Sequence, residues 1–307
     1  MRIVITGSQG FIFSHVVEHF LAKGWEVHGF DNLSAGSHPE LVPVFEKAGN
    51  FRFHNVDVSF ASVIPNIVSL DPDYIIHAAA ISDVDYSIKH PLKTLQANNG
   101  ATQNVFEAAR LSPHLKRFLY ISTDEVYGEC DHPKDETEII FPKNIYAASK
   151  AFGSLLRLAY DNTYPELRDK TVETRFCNVF GPRQDPRKII PAIIRAMNGG
   201  QPVPLHNKGA GFRQWIYVKE IPPIIELLLE SGHRTYNITA DVGKTVMELI
   251  LAAETLTRRQ VPTVPGKRSG MDMRYEMSSA RLQEEFGWRP RYSFDEAYAA
   301  LLNGDPL

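Results

Sequence analysis

The 307-residue chain is 43% hydrophobic and 22% charged, with 33 Lys and Arg against 36 Asp and Glu for a formal net charge of −3. That balance belongs to an ordinary globular protein able to bury a substantial core. It gives no electrostatic footprint for nucleic acid or an anionic membrane surface, and no apolar run approaches the ~20 residues that span a bilayer. The two cysteines, Cys130 and Cys177, stand far apart, which argues against a disulfide framework or a metal cluster, so no metal is expected and the cytoplasm is the default compartment.

The chain begins on a strand-like Arg2–Thr6, not on a charged leader followed by an apolar stretch. Further short apolar runs predict strands at Glu26–Phe30, Phe51–Val56, Tyr74–His77, Arg117–Ser122 and Val172–Asn178. Amphipathic stretches at Phe11–Lys23, Pro91–Leu111 and Ile145–Tyr160 lie between them. Strand, helix, strand at this spacing predicts right-handed crossovers and a mainly parallel sheet covered on both faces. Ligands of such sheets sit beyond the carboxyl ends of the strands. After Pro182 the elements shorten and prolines and basic residues increase, which reads as a smaller substrate-capping region.

The first turn, Thr6-Gly7-Ser-Gln-Gly10-Phe11-Ile12-Phe13, has the form of a phosphate-binding loop. Glycines there let the backbone approach a pyrophosphate that rests on the following helix N-terminus. Asp31, roughly 20 residues on, is placed to accept hydrogen bonds from an adenosine ribose, and no arginine follows it, which favours NAD over NADP. Phe13 occupies the position of the third glycine that permits close helix–strand packing. It reads either as a core residue on a slightly displaced helix or as a weakness in cofactor binding.

Tyr146 and Lys150 fall on one face of a predicted helix, where a lysine cation beside a phenol lowers the phenol pKa and makes it a base for a sugar hydroxyl. The strand Arg117–Ser122 ends in Thr123, Asp124 and Glu125. Such a polar triplet can simply cap a turn. Two adjacent carboxyl groups can also divide acid and base work if their surroundings separate their pKa values.

With TGxxGF, Asp31, HAAA, STDEVYG, YAASK, NVFGP and RQWIYV in this order, the chain resembles the extended short-chain dehydrogenase/reductases, and within them the 4,6-dehydratases of the dTDP-glucose type, nearly end to end. The resemblance implies an α/β fold, a Rossmann-like doubly wound parallel sheet with a smaller mixed α/β substrate-binding region. The NAD-binding part would be residues 1–178, with segments around 212–240 packing back onto it, and the substrate part residues 179–307. It implies NAD as cofactor, held by Gly7, Gly10, Phe11, Ile12, Asp31, Asn32, Asp57, Val58, Ala78, Ala79, Asn98, Tyr146 and Lys150. It implies that Tyr146, assisted by Lys150 and Thr123, deprotonates the sugar 4-hydroxyl as NAD takes hydride, that Glu125 removes the C5 proton, and that Asp124 protonates the departing 6-hydroxyl. Ser82, Asp83, Asn178, Lys188, Arg213 and Arg274 would meet the nucleotide-diphosphate sugar, and the partner would be a second copy in a homodimer. Asn98 reads equally as a helix-packing amide, and His77 as structural. Departures cluster on the sugar side: Ile81 and Asp83 stand for a Glu and a His, Tyr86 for an Arg, Gln214 for an Asp and Met273 for an Arg. A 4-epimerase or decarboxylase on the same scaffold, or a non-catalytic NAD-binding protein, are the alternatives.

Overall fold

The computed structural model describes residues 1–266 and 272–304. Its strands are β1 (Arg2–Thr6), β2 (Glu26–Asp31), β3 (Phe51–Asn55), β4 (Tyr74–His77), β5 (Arg117–Thr123), β6 (Thr171–Phe176), β7 (Asn178–Phe180), β8 (Val203–His206), β9 (Phe212–Tyr217), β10 (Thr235–Ile238), β11 (Gly243–Thr245) and β12 (Thr263–Gly266). Seven form one sheet in the order β10-β6-β5-β4-β1-β2-β3, and every neighbouring pair is parallel. Along β1 the side chains alternate between faces. Ile3 and Ile5 join Val16, Val17 and Phe20 of the helix Phe11–Ala22 and Ile224, Ile225 and Leu228 of the helix Ile221–Ser231. Val4 joins Val105 and Phe106 of the helix Pro91–Leu111 on the other face. The strand order reverses between β1 and β4, which opens the crevice where doubly wound sheets bind ligands.

The predicted strand Val172–Asn178 proves to be two strands in two sheets. β6 belongs to the large sheet and β7 pairs with β9 in a three-stranded β11-β9-β7 sheet, the break falling at Cys177. Nothing in Val-Glu-Thr-Arg-Phe-Cys-Asn, which lacks a glycine or proline to mark a break, reveals that the chain changes sheets within it. β2 reaches Asp31 and β5 reaches Thr123, so both polar residues are the last of their strands. The helix at Ile145 continues to Thr163 and stops before Tyr164-Pro165, because the residue before a proline disfavours the helical region.

The smaller region carries the β11-β9-β7 sheet, a β12-β8 pair and the helices Ile189–Met197, Val246–Thr257 and Phe294–Leu302. Its apolar side chains are continuous with one face of the large sheet, since Trp215, Leu249 and Tyr298 belong to the same core as Ile3 and Ile5. Between β9 and β11 the chain returns once to the large sheet, where β10 pairs beside β6.

Candidate active site

The loop after β1 is shaped for close approach. Gly7 has φ +71°, and a Cβ built on it would stand 2.8 Å from the Ala79 nitrogen and 2.9 Å from its Cα. A side chain there would collide with the backbone after β4, so glycine keeps a cradle open between the two strand ends. The Gly7 nitrogen donates to the Phe30 carbonyl (2.8 Å), and the helix starts directly after Gly10, with Phe11 and Ile12 in its first turn, where backbone N–H groups lack intrahelical acceptors. Phe13 is 5% exposed and lies in the core with Val16, Val17 and Phe20; it is a packing residue. Gly29 on β2 is a requirement that the sequence reading did not single out, as a Cβ there would lie 2.6 Å from the Ser8 Oγ and 2.8 Å from the Phe51 ring.

Asp31 braces this loop. Its Oδ2 accepts from the Gln9 nitrogen (3.0 Å), and its Oδ1 accepts from the Leu33 nitrogen (2.8 Å) and the Ser37 hydroxyl (3.0 Å). A carboxylate oxygen carrying one such bond retains acceptor capacity for a sugar hydroxyl. Asn32 donates to Asp57 (3.2 Å), beside buried Val58. The Ala78 and Ala79 nitrogens both donate to the Thr6 hydroxyl at 3.2 Å, and Thr6 also meets His77 Nδ1 at 2.9 Å. His77 is fully buried, and burial together with the Lys150 charge holds it neutral. Asn98 spends its amide on Ile81, accepting from its nitrogen (2.8 Å) and donating to its carbonyl (3.1 Å), and on the Ser149 hydroxyl (2.9 Å), so it ties the helix Pro91–Leu111 to the helix Ile145–Thr163.

The polar triplet and the Tyr-x-x-x-Lys pair meet beyond β5. Thr123 donates to Asp124 Oδ1 (3.0 Å) and accepts from the Glu125 nitrogen (3.3 Å). Asp124 is 6% exposed, and its Oδ2 is buried without a hydrogen-bond partner among the described residues. Burial, then the neighbouring Glu125 charge, push its carboxyl up to about 7. Glu125 Oε2 accepts from the Asn144 side chain (2.6 Å), while Asn144 Oδ1 caps the helix by accepting from the Ala147 nitrogen (2.8 Å). Asn144 was missed in the sequence, though an asparagine just before an amphipathic run is a helix-start signal. Contrary to the expectation that Lys150 lowers it, the Tyr146 phenol is raised above its ordinary value by burial and by the charges of Glu125 and Asp124, opposed by a hydrogen bond with Thr123. Lys150 is 4% exposed, its Nζ 5.0 Å from the centroid of the Tyr120 ring, and burial lowers it to about 8. The Tyr120 hydroxyl donates to the Lys150 carbonyl (2.9 Å). A Cβ on Gly153 would come within 2.2 Å of the same ring, so that glycine lets the helix settle onto β5.

On the far side stands the segment Asp272–Met277. The Arg213 guanidinium lies 4.3 Å from the centre of the Tyr275 ring and donates to the Asp272 carbonyl (2.9 Å), and its charge bears on Asp124. Tyr275, which the sequence did not single out, is buried, bonded to the Asp272 carboxylate and subject to the Glu125 charge. Arg274 stacks on Phe212 at 4.2 Å and pairs with Glu276. Gln214 accepts from the Met277 nitrogen (2.8 Å) and donates to its carbonyl (2.9 Å), a two-way backbone clasp that an ionised carboxylate could not make. Asn178 opens β7, and exposed Lys188 precedes the helix Ile189–Met197. Ser82 is exposed; Asp83 caps its helix by accepting from the Tyr86 nitrogen (3.0 Å) and pairs with Arg187 (3.4 Å). Among the described residues no cluster of ligands suited to a metal occurs, and no helix is long and apolar enough to cross a membrane.

A glycine cradle, a carboxylate at the end of β2 and a tyrosine–lysine pair at the sheet's carboxyl edge are the features of a dinucleotide-binding Rossmann-like protein. The chain belongs to the NAD dependent epimerase/dehydratase family, which matches residues 3–239, and the cradle suits that cofactor. It is similar to the low-salt glycan biosynthesis protein Agl12 of Haloferax volcanii, 34% identical over 311 residues that cover 99% of this chain and 98% of the relative. Among solved structures, DesIV, a dTDP-glucose 4,6-dehydratase from Streptomyces venezuelae with NAD and TYD bound, superposes with a TM-score of 0.90 at 31% identity, covering 99% of this chain and 96% of that one. The UDP-glucose 4-epimerase of Thermus thermophilus in complex with NAD gives 0.90 at 30% identity, covering 99% and 98%. The fold is therefore the Rossmann-like, doubly wound α/β class.

Proposed function

We propose that the protein is an NAD-dependent nucleotide-sugar 4,6-dehydratase, taking water from an NDP-hexose of the dTDP-glucose kind to leave the 4-keto-6-deoxy sugar. The observation that carries this reading is the Asp124–Glu125 pair directly after Thr123, beside Tyr146. Reversible oxidation at C4, which suffices for a 4-epimerase, needs a base for one hydroxyl. Loss of water across C5 and C6 needs a second base and an acid as well. Tyr146, backed by Lys150 and Thr123, takes the 4-hydroxyl proton. Glu125, steadied by Asn144, takes the C5 proton that the adjacent C4 ketone acidifies. Asp124, near half-protonated at neutral pH, gives its proton to the departing 6-hydroxyl. NAD, when bound, supplies a two-electron acceptor that is restored by the end of the cycle.

Gly7, Gly10, Phe11, Ile12, Asp31, Asn32, Asp57, Val58, Ala78 and Ala79 would hold that cofactor, with Asn98 positioning the Ile81 backbone. Arg213, Arg274, Asn178 and Lys188 would hold the nucleotide diphosphate, and Ser82 and Asp83 the sugar side. The Thermus epimerase's equal superposition and the altered residues Ile81, Asp83 and Tyr86 favour 4-epimerisation as the second reading. Incubation with dTDP- and UDP-hexoses followed by mass spectrometry separates the two: the dehydratase product is lighter by one water, and an epimer keeps its mass. Glu125→Gln should abolish water loss; a dehydrated product from that variant would remove Glu125 from its role. The exposed leucines Leu92, Leu155 and Leu158 on two packed helices support a homodimer, and the cytoplasm remains the proposed compartment.

A further inference from the structure

The middle of the large sheet contains a charge cluster that the proposed chemistry does not use. β6 reads Thr-Val-Glu-Thr-Arg-Phe, and Glu173 is 0% exposed on it. A buried strand of a parallel sheet is ordinarily an apolar run, and an ionised carboxylate at such depth is costly unless paired and hydrogen-bonded. Glu173 is both. Its Oε1 accepts from the Ser154 hydroxyl (2.6 Å) and from Arg175 Nε (2.9 Å), while its Oε2 lies 3.4 Å from Arg157 Nε and accepts from the Thr235 hydroxyl at 3.4 Å. Arg157 pairs with Asp161 (2.7 Å), and Arg175 reaches the Tyr127 hydroxyl (2.7 Å).

The placement of this cluster explains its presence. Glu173 lies directly across the ladder from Tyr120 of β5, whose ring Lys150 overlies and whose hydroxyl holds the Lys150 carbonyl. Ser154, which anchors the carboxylate, is one helical turn beyond Lys150 and also approaches the Lys150 carbonyl (3.5 Å). Lys150 and Glu173 therefore flank one aromatic ring and share one helix turn. Around Lys150 stand Tyr146 and Ser154, one turn before and after it on its own helix, Tyr120 from β5, His77 from β4 and Glu173 from β6, with Arg175 paired to Glu173. Asp124 and Glu125 bear on Tyr146.

Resting on the reading of Tyr146 and Lys150 as the base pair of the site, we propose that Glu173 is a positioning residue: the buried counter-charge that keeps Lys150 cationic behind Tyr146. Burial works to strip the Lys150 proton and the Glu173 charge works to retain it. Without Glu173, Arg157 would keep Asp161, whereas Arg175 and Lys150 would lose the carboxylate that acts on both, and of these two Lys150 is the one that can release its proton. The positive charge that favours the Tyr146 phenolate would leave with it.

The test needs no substrate. In protein labelled with 13C-lysine, with the Lys150 signal assigned by its loss in Lys150→Met, the titration of Lys150 is followed from neutral to alkaline pH. Glu173→Gln should move its midpoint down by about one pH unit, a tenfold change in the protonated ratio. Arg175→Gln, which leaves Glu173 less neutralised, should move it up, and Glu173→Asp should restore most of the original value. A merely structural role moves both variants the same way. An unchanged midpoint in either folded variant, or shifts of one sign in both, overturns the proposal. If Glu173→Gln does not fold, the upward shift in Arg175→Gln decides alone. Failure of the nucleotide-sugar panel would instead retire the assigned reaction and leave this titration unaffected.

Discussion

Asp124 shows how much one residue's surroundings decide. A carboxyl group held up to about 7 by burial and by Glu125 binds a proton in the folded state that it has already lost in the unfolded chain. The associated stability is complete below the unfolded value near 4, declines as pH rises, and is gone above about 7. Asparagine has no such dependence. Asp124→Asn should therefore raise the melting temperature by several degrees at pH 8 and by little at pH 4, as calorimetry at the two pH values would record, while turnover falls about 100-fold or more. A gain of equal size at both pH values would mean that the carboxyl is not neutralised by its site. Activity and stability conflict at this position, as is common where a site stores an unfavourable group.

At the scale of elements, the helix Phe11–Ala22 settles what Phe13 does. Its ring is buried among Val16, Val17 and Phe20, so removing it opens a cavity within the core beneath the cofactor loop. Phe13→Gly should cost roughly 3–5 kcal/mol of stability in chemical denaturation and should not tighten NAD binding in a thermal-shift titration; tighter binding would show that the ring obstructs the helix after all. The strands β1 and β4 and the helix Pro91–Leu111 were legible with their bounds, because continuous apolar runs and 3.6-residue periodicity carry them without help from distant residues. The positions of Gly7, Asp31 and Thr123–Glu125 at strand ends were legible because a strand and its turn are local in sequence, and those of Tyr146 and Lys150 because four-residue spacing puts them on one face of a helix. The split at Cys177 was not, since no glycine or proline marks it and the pairing of β7 with β9 depends on residues far along the chain. Tyr275, Asn144's grip on Glu125 and the Gln214 clasp were not, since each depends on a contact between segments far apart in the chain.

For the whole molecule, Leu92 is 75% exposed, Leu155 58% and Leu158 47%, on helices that pack against each other outside the sheet. Leu155 and Leu158, three residues apart on one helix, share a side of it, and exposed apolar side chains so grouped are ordinarily covered by a partner. Leu155→Arg should lower the mass measured by light scattering from two chains to one; a wild-type protein already monomeric would end the homodimer reading. The late return of β10 carries a consequence for how the chain is made. β6 and β10 are neighbours in the sheet, yet residues 177–234 lie between them. Until Thr235–Ile238 leaves the ribosome, β6 is an open edge, a template for pairing with other chains, and the Glu173–Arg157 cluster lacks the Thr235 hydroxyl that completes it. Residues 1–178 therefore do not contain the whole of the seven-stranded sheet. The edge strand of the large sheet is delivered only after β7, β8, β9 and the helix Ile189–Met197 have been synthesised.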